Sequence, residues 1–306
     1  MIDQADTIGR PHLSVVVPAV NGRATLVDCL DALAAVSPPD LEIEILVVDR
    51  CRATKPDLPS ARHRRVVVID VPEATSIPRM REIAMQRSTA SAIAVIEDHV
   101  LVPPIWARQM LDALAEGADV VGGSVENGAT ERTTDWAAFL CEYSHLLPPL
   151  PEGTADTLAG NNVVYRRTVL EKYWSTVSAG RWEDFLHAAM RRDGARLACR
   201  PEIAVRHTMH YRVREYVSQR YLYSRAHAGM RAAAMSRSRR TLLAVGALAL
   251  PAVLLWRIVQ RVMISGRLRN ELFRSLPLLV LFVCAWAGGE VVGFAAGPGD
   301  ALSRVK

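Results

Sequence analysis

Three ionisable residues, Glu97, Asp98 and His99, interrupt an apolar stretch that extends from Ile93 to Trp106. A β-rich run precedes them, and apolar residues with a double proline follow them. Carboxylate oxygens are ligands for Mg²⁺ or Mn²⁺, and an imidazole nitrogen favours Mn²⁺ or another transition ion. The triplet therefore has the residue types of a divalent-metal site at the end of a buried strand. The alternative is a solvated turn.

A second acidic group, Glu183 and Asp184, lies in the first turn of a helix predicted over Arg181–Gly194. A carboxylate near a helix N-terminus is kept ionised by the helix dipole, and an adjacent acid raises its basicity. The pair thus suits general-base chemistry, although acidic residues in a first helical turn also serve as ordinary caps.

These groups must be positioned by an alternation of strands and helices. Hydrophobic patterning predicts strands over Leu13–Ala19, Glu42–Asp49, Arg65–Val71 and Ala92–Ile96, with helices over Leu26–Val36 and Ile77–Thr89. Continuous apolar strands in this order are typical of a mostly parallel sheet with helices on both faces, so we expect an α/β fold. Ligands bind beyond the carboxyl ends of the strands in such sheets, where the acidic triplet lies.

The region after Trp106 is less regular. It predicts helices over Trp106–Glu116 and Arg132–Leu146 and a strand over Asp119–Val125. A proline-rich loop, Leu147–Gly153, follows before the next polar motif. The sequence contains no evident internal repeat.

The chain has 306 residues and a net charge of +5, and half of its residues are hydrophobic. The basic charge fits an anionic partner such as a nucleotide or a phospholipid surface. Zinc-finger spacing, aromatic RNA-binding motifs and basic heptads are absent, so we expect no nucleic-acid partner. Five scattered cysteines without a C-x-x-C pair indicate a reducing compartment. The polar N-terminus lacks an apolar signal segment, which predicts a cytoplasmic location for the first domain.

The most apolar part of the chain follows residue 240. Two segments, Thr241–Trp256 and Leu276–Ala296, exceed all earlier stretches in hydrophobicity. The second is long enough to cross a hydrocarbon core of roughly 30 Å, and the first reaches that length only if Ile258 and Val259 extend it. The two segments predict association with membrane lipids, and the alternative is a pair of core helices.

Arginines flank both apolar segments. Those before the first segment are Arg237, Arg239 and Arg240, and those between the two are Arg257, Arg261, Arg267, Arg269 and Arg274. The positive-inside tendency would place both clusters in the cytoplasm, which a hairpin of two spans does not satisfy. The alternatives are a segment that returns at Pro251 and an interfacial amphipathic helix. Glu290 is unfavourable in lipid, so we expect it at a helix–helix or headgroup contact.

Five motifs occur in an order that resembles family-2 glycosyltransferases. They are Ser14–Asn21, Glu44–Asp49, Ala94–Pro104, Gly160–Asn162 and Trp182–Asp184. The resemblance covers roughly residues 13–210. It implies an inverting enzyme with a GT-A fold that uses a nucleotide-diphosphate sugar.

The resemblance also implies a nucleotide pocket at the ends of the first two strands. Pro18 and its neighbours Ala19 and Asn21 would line it, and Asp49 would hydrogen-bond the base. The family usually continues with a second acidic residue and a Gly-Ser turn, whereas this chain has Arg50-Cys-Arg52. Arg50 could instead meet phosphate or a charged acceptor, and Asp49 could be an ordinary strand-end cap.

The triplet aligns with the D-x-D motif of the family. Glu97 then takes the position of the first aspartate and His99 that of the second, metal-binding aspartate. Asp98 is the rival ligand if the register shifts by one residue. The resemblance thus implies a divalent cation, Mn²⁺ or Mg²⁺, that neutralises the diphosphate as the sugar leaves.

The pair Glu183 and Asp184 resembles the E-D pair of the family, whose aspartate is the general base for a hydroxyl acceptor. The leading hypothesis is therefore a metal-dependent transferase that acts on a lipid-linked or polysaccharide acceptor. A polyprenyl-phosphate glycosyltransferase is the alternative, because its nucleophile is already anionic and needs no base. A non-catalytic nucleotide-sugar-binding protein is the third possibility.

Other candidate residues follow from the same resemblance. Asn161 and Asn162 would contact the transferred sugar, with a plain turn as the alternative. His207, in a strand over Pro201–His207, would be a further metal ligand or phosphate contact. Arg220 or Arg225 would bind the leaving diphosphate, with a helix on the membrane surface as the alternative. The sequence Gln219–Tyr223 does not match the Q-x-x-R-W motif of processive relatives.

The expected organisation has four parts: a tail over residues 1–12, a GT-A domain over 13–210, an interfacial or linker helix over 211–240 and membrane-associated helices over 241–306. We expect the protein at the inner (cytoplasmic) membrane with its catalytic domain in the cytoplasm. The residues carry no signal for an oligomeric state.

Overall fold

The computed structural model of the chain describes residues 11–36, 41–51 and 65–306. Most of the predicted N-terminal tail and Arg52 lie outside the described residues. The chain forms two compact units, the first comprising Met1–Ser124 and Leu150–Arg206 and the second Val125–Pro149 and His207–Lys306.

Nine strands and twelve helices make up the described part of the chain. The strands are β1 Leu13–Ala19, β2 Ile43–Asp49, β3 Arg65–Asp70, β4 Ala92–Val95, β5 Val100–Leu101, β6 Val120–Asn127, β7 Gly153–Thr154, β8 Val163–Arg166 and β9 Leu197–His207. The helices are α1 Arg23–Ala34, α2 Ile77–Arg87, α3 Trp106–Ala115, α4 Thr133–Tyr143, α5 Arg167–Leu170, α6 Trp174–Ser178, α7 Glu183–Arg192, α8 Val213–Ala232, α9 Arg237–Gly246, α10 Leu250–Ser265, α11 Arg269–Ala296 and α12 Ala301–Arg304.

The strands of the first unit form a mixed sheet in the order β3-β2-β1-β4-β8-β6-β9-β5, and β7 pairs with β9. The first four strands are parallel, while β8 is antiparallel to both β4 and β6. The predicted α/β fold is confirmed. The sheet is less uniformly parallel than expected, because β8 enters between β4 and β6 in the opposite direction.

The register brings the ends of the central strands together. Ala19 pairs with Asp49, and Val16 pairs with Val95 two residues before Glu97. The side chains of β1 and β2 are buried along both strands, since Val and Ile fill a sheet that is covered on both sides. Each such side chain contributes roughly 1.5–3 kcal/mol when fully buried. The rigid central strands therefore hold their following loops at one edge.

The second unit is helical. α8 runs alongside α11 from its midpoint, where the Tyr216 and Phe282 rings lie 4.5 Å apart, to Gly293. The two backbones approach closely because α11 has glycines on this side: a Cβ on Gly293 would lie 2.6 Å from the carbonyl oxygen of Arg225. α4 packs against the first half of α11 through an apolar cluster that includes Leu140.

Two helical stretches, Arg237–Ser265 and Arg269–Ala296, are long and apolar enough to cross a membrane by length and composition. The first combines α9 and α10, joined by a single 3₁₀ turn. α10 packs on the first half of α11, and α9 reaches its end, where Arg240 donates to the Phe294 carbonyl at 2.8 Å. The stretch thus runs antiparallel to α11 and does not return at Pro251, which corrects that alternative.

Candidate active site

The loop after β4 holds Asp98 at the centre of a hydrogen-bond network. Its carboxylate accepts from the backbone N–H groups of Val20 and Asn21 at 2.7 and 2.8 Å. It also accepts from the Asn21 side-chain amide at 2.8 Å and lies 2.9 Å from Nδ1 of His99. Burial alone would raise the pKa of Asp98, but hydrogen bonds and charge from His99 and Asn21 lower it below its usual value. Asp98 therefore anchors the loop between β1 and α1.

The side chains of Glu97 and His99, on either side of Asp98 in the sequence, lie close to each other. Nε2 of His99 lies 3.4 Å from Oε2 of Glu97. A tautomer in which Nδ1–H donates to Asp98 leaves the lone pair of Nε2 directed toward this carboxylate. Metal-ligating histidines commonly have such a carboxylate partner on the other ring nitrogen. The donor set of one carboxylate and one imidazole fits a divalent cation, with Asp98 behind the pair as an orienting group.

Arg81 connects this corner to the acidic pair of α7. Its guanidinium lies 3.4 Å from Oε1 of Glu97 and 2.6 Å from Oε2 of Glu183. Only 7% of Arg81 is exposed. Burial disfavours the charged form, but Glu183 and Glu97 raise the pKa of Arg81 above its usual value. One buried cation thus joins two carboxylates that are far apart in the sequence.

Sequence reasoning missed Arg81, although a signal was present. The buried residues of α2 include Ile77, Met80, Ala84 and Met85, which define one helix face. Arg81 lies on this face, four residues from both Ile77 and Met85. An arginine on the apolar face of a helix requires a buried anionic partner, and this requirement could have identified it.

The α7 pair is placed by the motif that begins at Gly160. α7 starts at Glu183, so Glu183 and Asp184 both lie in its first turn, as predicted. Gly160 makes room for Glu183, because a Cβ at this position would overlap the Glu183 carboxylate. Asn161 is buried, and its amide donates to Oε2 of Glu97 at 3.3 Å. The glycine and the asparagine therefore contact the two acidic motifs directly.

The buried His187 holds α7 in place through hydrogen bonds. Nε2 of His187 lies 2.9 Å from the Tyr165 hydroxyl, and Nδ1 lies 3.4 Å from the backbone N–H of Leu158. Burial lowers the pKa of His187 to about 4, although the charges of Glu183 and Asp184 act in the opposite direction. The ring is neutral near pH 7 and positions α7 through hydrogen bonds.

The predicted nucleotide pocket lies at the ends of β1 and β2. Pro18 and Ala19 are the last residues of β1, and Asn21 follows on the loop that Asp98 anchors. The buried Asp49 accepts from the backbone N–H of Cys51 at 2.8 Å, which is the strand-end cap considered above. Arg50 is also buried, and its guanidinium donates to the Thr75 carbonyl at 3.0 Å. Burial lowers the pKa of Arg50.

Asn162 differs from its neighbour Asn161. Its side-chain oxygen accepts from Trp106 at 3.0 Å, and its amide donates to the carbonyls of Ser124 and Ile203 at 3.0 and 2.8 Å. These three bonds tie α3, β6 and β9 together. Asn162 consequently has a structural role inside the sheet.

Three further predicted residues belong to the second unit. Arg220 is buried 2.8 Å from Glu142, with its guanidinium over the rings of Trp286 and Tyr223. Arg225 lies beside the end of α11, with Nε 3.4 Å from the Gly297 carbonyl. The ring of His207 lies 4.9 Å from that of Tyr143. Within their unit, the two arginines and the histidine all have packing partners.

Comparisons with known proteins agree with this architecture. The sequence profile of glycosyl transferase family 2 matches residues 14–174. No curated protein matches the chain. Mannosyltransferase PcManGT from Pyrobaculum calidifontis, solved with GDP-Man and Mn²⁺, is similar with a TM-score of 0.57 at 16% identity, over 92% of this chain and 87% of that one. TarS residues 1–349 from S. aureus, solved with UDP, is similar with a TM-score of 0.48 at 17% identity, over 92% and 90%.

The mixed α/β sheet and the likeness to PcManGT show a GT-A fold, and the family profile makes the chain a glycosyltransferase. The family profile spans more than half of the chain and includes the corner at Glu97–His99. The chain belongs to glycosyl transferase family 2.

Proposed function

We propose that the protein is a divalent-metal-dependent inverting glycosyltransferase that moves a sugar from a nucleotide diphosphate to an acceptor hydroxyl at a membrane. The observation that carries this proposal is the convergence of Glu97 and His99 at the end of β4, with Arg81 joining Glu97 to Glu183. The fold neighbour solved with GDP-Man and Mn²⁺ supports the donor class. We place the catalytic unit on the cytoplasmic side of the inner membrane, where sugar nucleotides are made.

Glu97 and His99 are the proposed metal ligands, and Asp98 and Asn21 orient them. The residues fit Mn²⁺ well, because an imidazole accompanies the carboxylate. A bound cation supplies Lewis-acid neutralisation of the diphosphate as it departs. Asn161 helps to hold Glu97 in place. Of the two asparagines in Gly160–Asn162, it is the one that we propose to contact the transferred sugar.

Asp184 is the proposed general base. The Arg81 guanidinium pairs with Glu183, and the family resemblance assigns proton transfer to the second residue of the pair, Asp184. The acceptor oxygen attacks the anomeric carbon while the bond from that carbon to the diphosphate oxygen breaks. The acceptor proton goes to Asp184, and the bonding pair leaves with the diphosphate. A one-step displacement of this kind inverts the anomeric configuration.

The nucleotide is proposed to lie over the ends of β1 and β2. Pro18, Ala19 and Asn21 would line its pocket, and the Asp49 carboxylate would bind the base. Arg50 faces the Thr75 carbonyl, so we propose that it shapes the loop beside the pocket. His207 stays proposed as a further metal ligand. Arg220 and Arg225, the residues proposed for diphosphate binding, contact Glu142 and the Gly297 carbonyl in the second unit.

Metal dependence is tested by thermal shift with nucleoside diphosphates in the presence and absence of Mn²⁺. A nucleotide at 100 times its Kd stabilises by about 2.7 kcal/mol, or roughly 5–10 °C. We expect this increase to require Mn²⁺ and to be lost in Glu97→Gln, whereas Asp112→Asn, an exposed carboxylate on α3, keeps it. An equal increase without metal would contradict the assignment.

The base is tested by Asp184→Asn. Loss of general-base catalysis lowers kcat by about 10²–10⁴. Donor affinity should be retained, because the substitution conserves the shape of the side chain. Unchanged turnover with a hydroxyl acceptor would refute the role of Asp184.

A polyprenyl-phosphate acceptor is the second candidate, favoured by the two apolar helical stretches after residue 236. Its phosphate is already a nucleophilic anion, so Asp184→Asn would leave transfer to it intact. Polyprenyl phosphate supplied as the sole acceptor to the wild type and to Asp184→Asn separates the two candidates.

A further inference from the structure

α11 is flanked by α4 and α8, and α8 carries charged residues. α4 packs on its first half, and α8 runs beside its second half. The Arg220 guanidinium lies 4.6 Å from the centre of the Trp286 ring, and Arg231 lies 3.6 Å from Glu290. A 28-residue helix is about 42 Å long, so both arginines would lie beside the hydrocarbon if α11 crossed a bilayer. Charged groups at that depth are strongly disfavoured.

The other side of the hairpin is apolar and uncovered. Within α9 and α10, large apolar side chains that are more than a third exposed recur at helical spacing, while Ile258 and Val262 on the opposite side pack on α11. α11 shows a second such stripe. The exposed residues are Leu242, Val245, Leu248, Val253, Trp256, Met263, Ile264, Phe273, Val280 and Leu281. Elsewhere in the described chain only Val68 and Ile105 are comparably exposed. A concentration of exposed apolar side chains of this kind marks a binding face.

Exposed arginines border both ends of this apolar surface. Arg237 and Arg239 lie at the open end of the hairpin, and Arg267 and Arg269 lie at its turn. In a spanning hairpin these two groups would be on opposite sides of the membrane. Cytoplasmic leaflets carry anionic lipid that attracts arginine, so one surface would satisfy both groups at once.

We propose that the hairpin of α9, α10 and α11 lies in the plane of one leaflet and does not span the bilayer. Its uncovered apolar stripes enter the boundary between headgroups and acyl chains, and the arginines at both ends bind anionic phospholipid headgroups. This proposal rests on the membrane association proposed above and specifies its mode. The occupant of the apolar face is an anionic phospholipid surface.

Binding is tested with the full chain and vesicles of phosphatidylcholine, with or without 30% phosphatidylglycerol. One arginine near an anionic surface is worth roughly a fivefold change in partitioning. Arg267→Gln/Arg269→Gln should therefore bind the anionic vesicles roughly 25-fold more weakly, whereas Arg87→Gln/Arg108→Gln, on exposed positions of the first unit, should bind normally. Trp256→Glu should weaken binding roughly tenfold or more, and Ile105→Glu should not. Equal effects of the hairpin variants and their controls would overturn the proposal.

The in-plane arrangement is tested with two protease sites in one chain reconstituted into sealed vesicles. One site is inserted at Gly266 in the turn of the hairpin and the other after Lys306. An in-plane hairpin leaves both sites on one side, so every molecule is cut at both or at neither. A spanning hairpin gives molecules cut at one site only, which would refute the proposal.

Turnover measured in detergent separates this proposal from the proposed function. Trp256→Glu should keep full transfer activity in detergent while losing vesicle binding. An inactive wild type that still binds anionic vesicles would refute the catalytic proposal and leave the binding mode standing.

Discussion

Removal of Arg81 is the most direct perturbation of the candidate site. Arg81→Met takes away the cation that pairs with Glu183 at 2.6 Å and with Glu97 at 3.4 Å. Breaking a buried ion pair by removing one partner typically destabilises by about 3–5 kcal/mol, and we expect the lower part of this range because Glu97 and Glu183 each keep 23% of their side-chain surface exposed. For a unit of this size the loss corresponds to roughly 6–20 °C in Tm.

The measurement is thermal and urea unfolding of four chains: the wild type, Arg81→Met, Glu183→Gln and the double variant. The double variant removes the Arg81 charge together with one carboxylate, so its loss should be smaller than the sum of the two single losses. We expect a coupling energy of about 1–3 kcal/mol, as for contacting residues. Arg81→Lys is the matched control, since it keeps the charge but lacks the planar fork that reaches both carboxylates.

Two results would refute this reasoning. One is a loss below about 1 kcal/mol in Arg81→Met, which is typical of an exposed pair. The other is strict additivity of the Arg81 and Glu183 substitutions. Either result would mean that the guanidinium does not join the two carboxylates in solution.

Two other perturbations follow from the same site. Gly160→Ala should displace Glu183 and reduce transfer activity, because the added Cβ occupies the space of the Glu183 carboxylate. The control, Gly194→Ala, lies at a positive-φ position with open space around it, so it should lower stability and leave kcat intact. The reverse pattern would contradict the packing of Gly160 against Glu183. His187 has a folded pKa lowered to about 4. It therefore contributes stability that is complete above its unfolded pKa of about 6.5 and is lost as the pH falls toward 4, by up to about 3 kcal/mol. His187→Gln should flatten the decline in Tm between pH 6.5 and 4, and an unchanged slope would exclude this residue as its source.

The acidic triplet shows how far local pattern alone can lead. Its position after β4 was predictable from apolar runs, since buried strands and their ends are properties of the local sequence. The roles proposed for Asp98 and His99 were not predictable, because they depend on Val20 and Asn21, which lie 78 and 77 residues from Asp98. Only the paired strands bring those N–H groups to the Asp98 carboxylate and release His99 toward Glu97.

The two asparagines make the same point. Asn161 and Asn162 are adjacent and chemically identical, so the sequence cannot rank them. In the fold, one reaches Glu97 and the other binds Trp106, Ser124 and Ile203 inside the sheet. Which side of the loop each amide faces is set by the strands around it.

The sequence by itself determined the first four strands, the two acidic motifs and the apolar character of the C-terminal helices. These features are encoded in hydrophobic periodicity and residue type, which act over a few neighbouring residues. The tertiary structure decided what long-range contacts control: the joining of Glu97 and Glu183 through Arg81, the packing of Arg220 against Trp286, and the covering of α11 by α4 and α8. A buried charge or an apolar helix acquires its role from its partners, and folding alone brings those partners together.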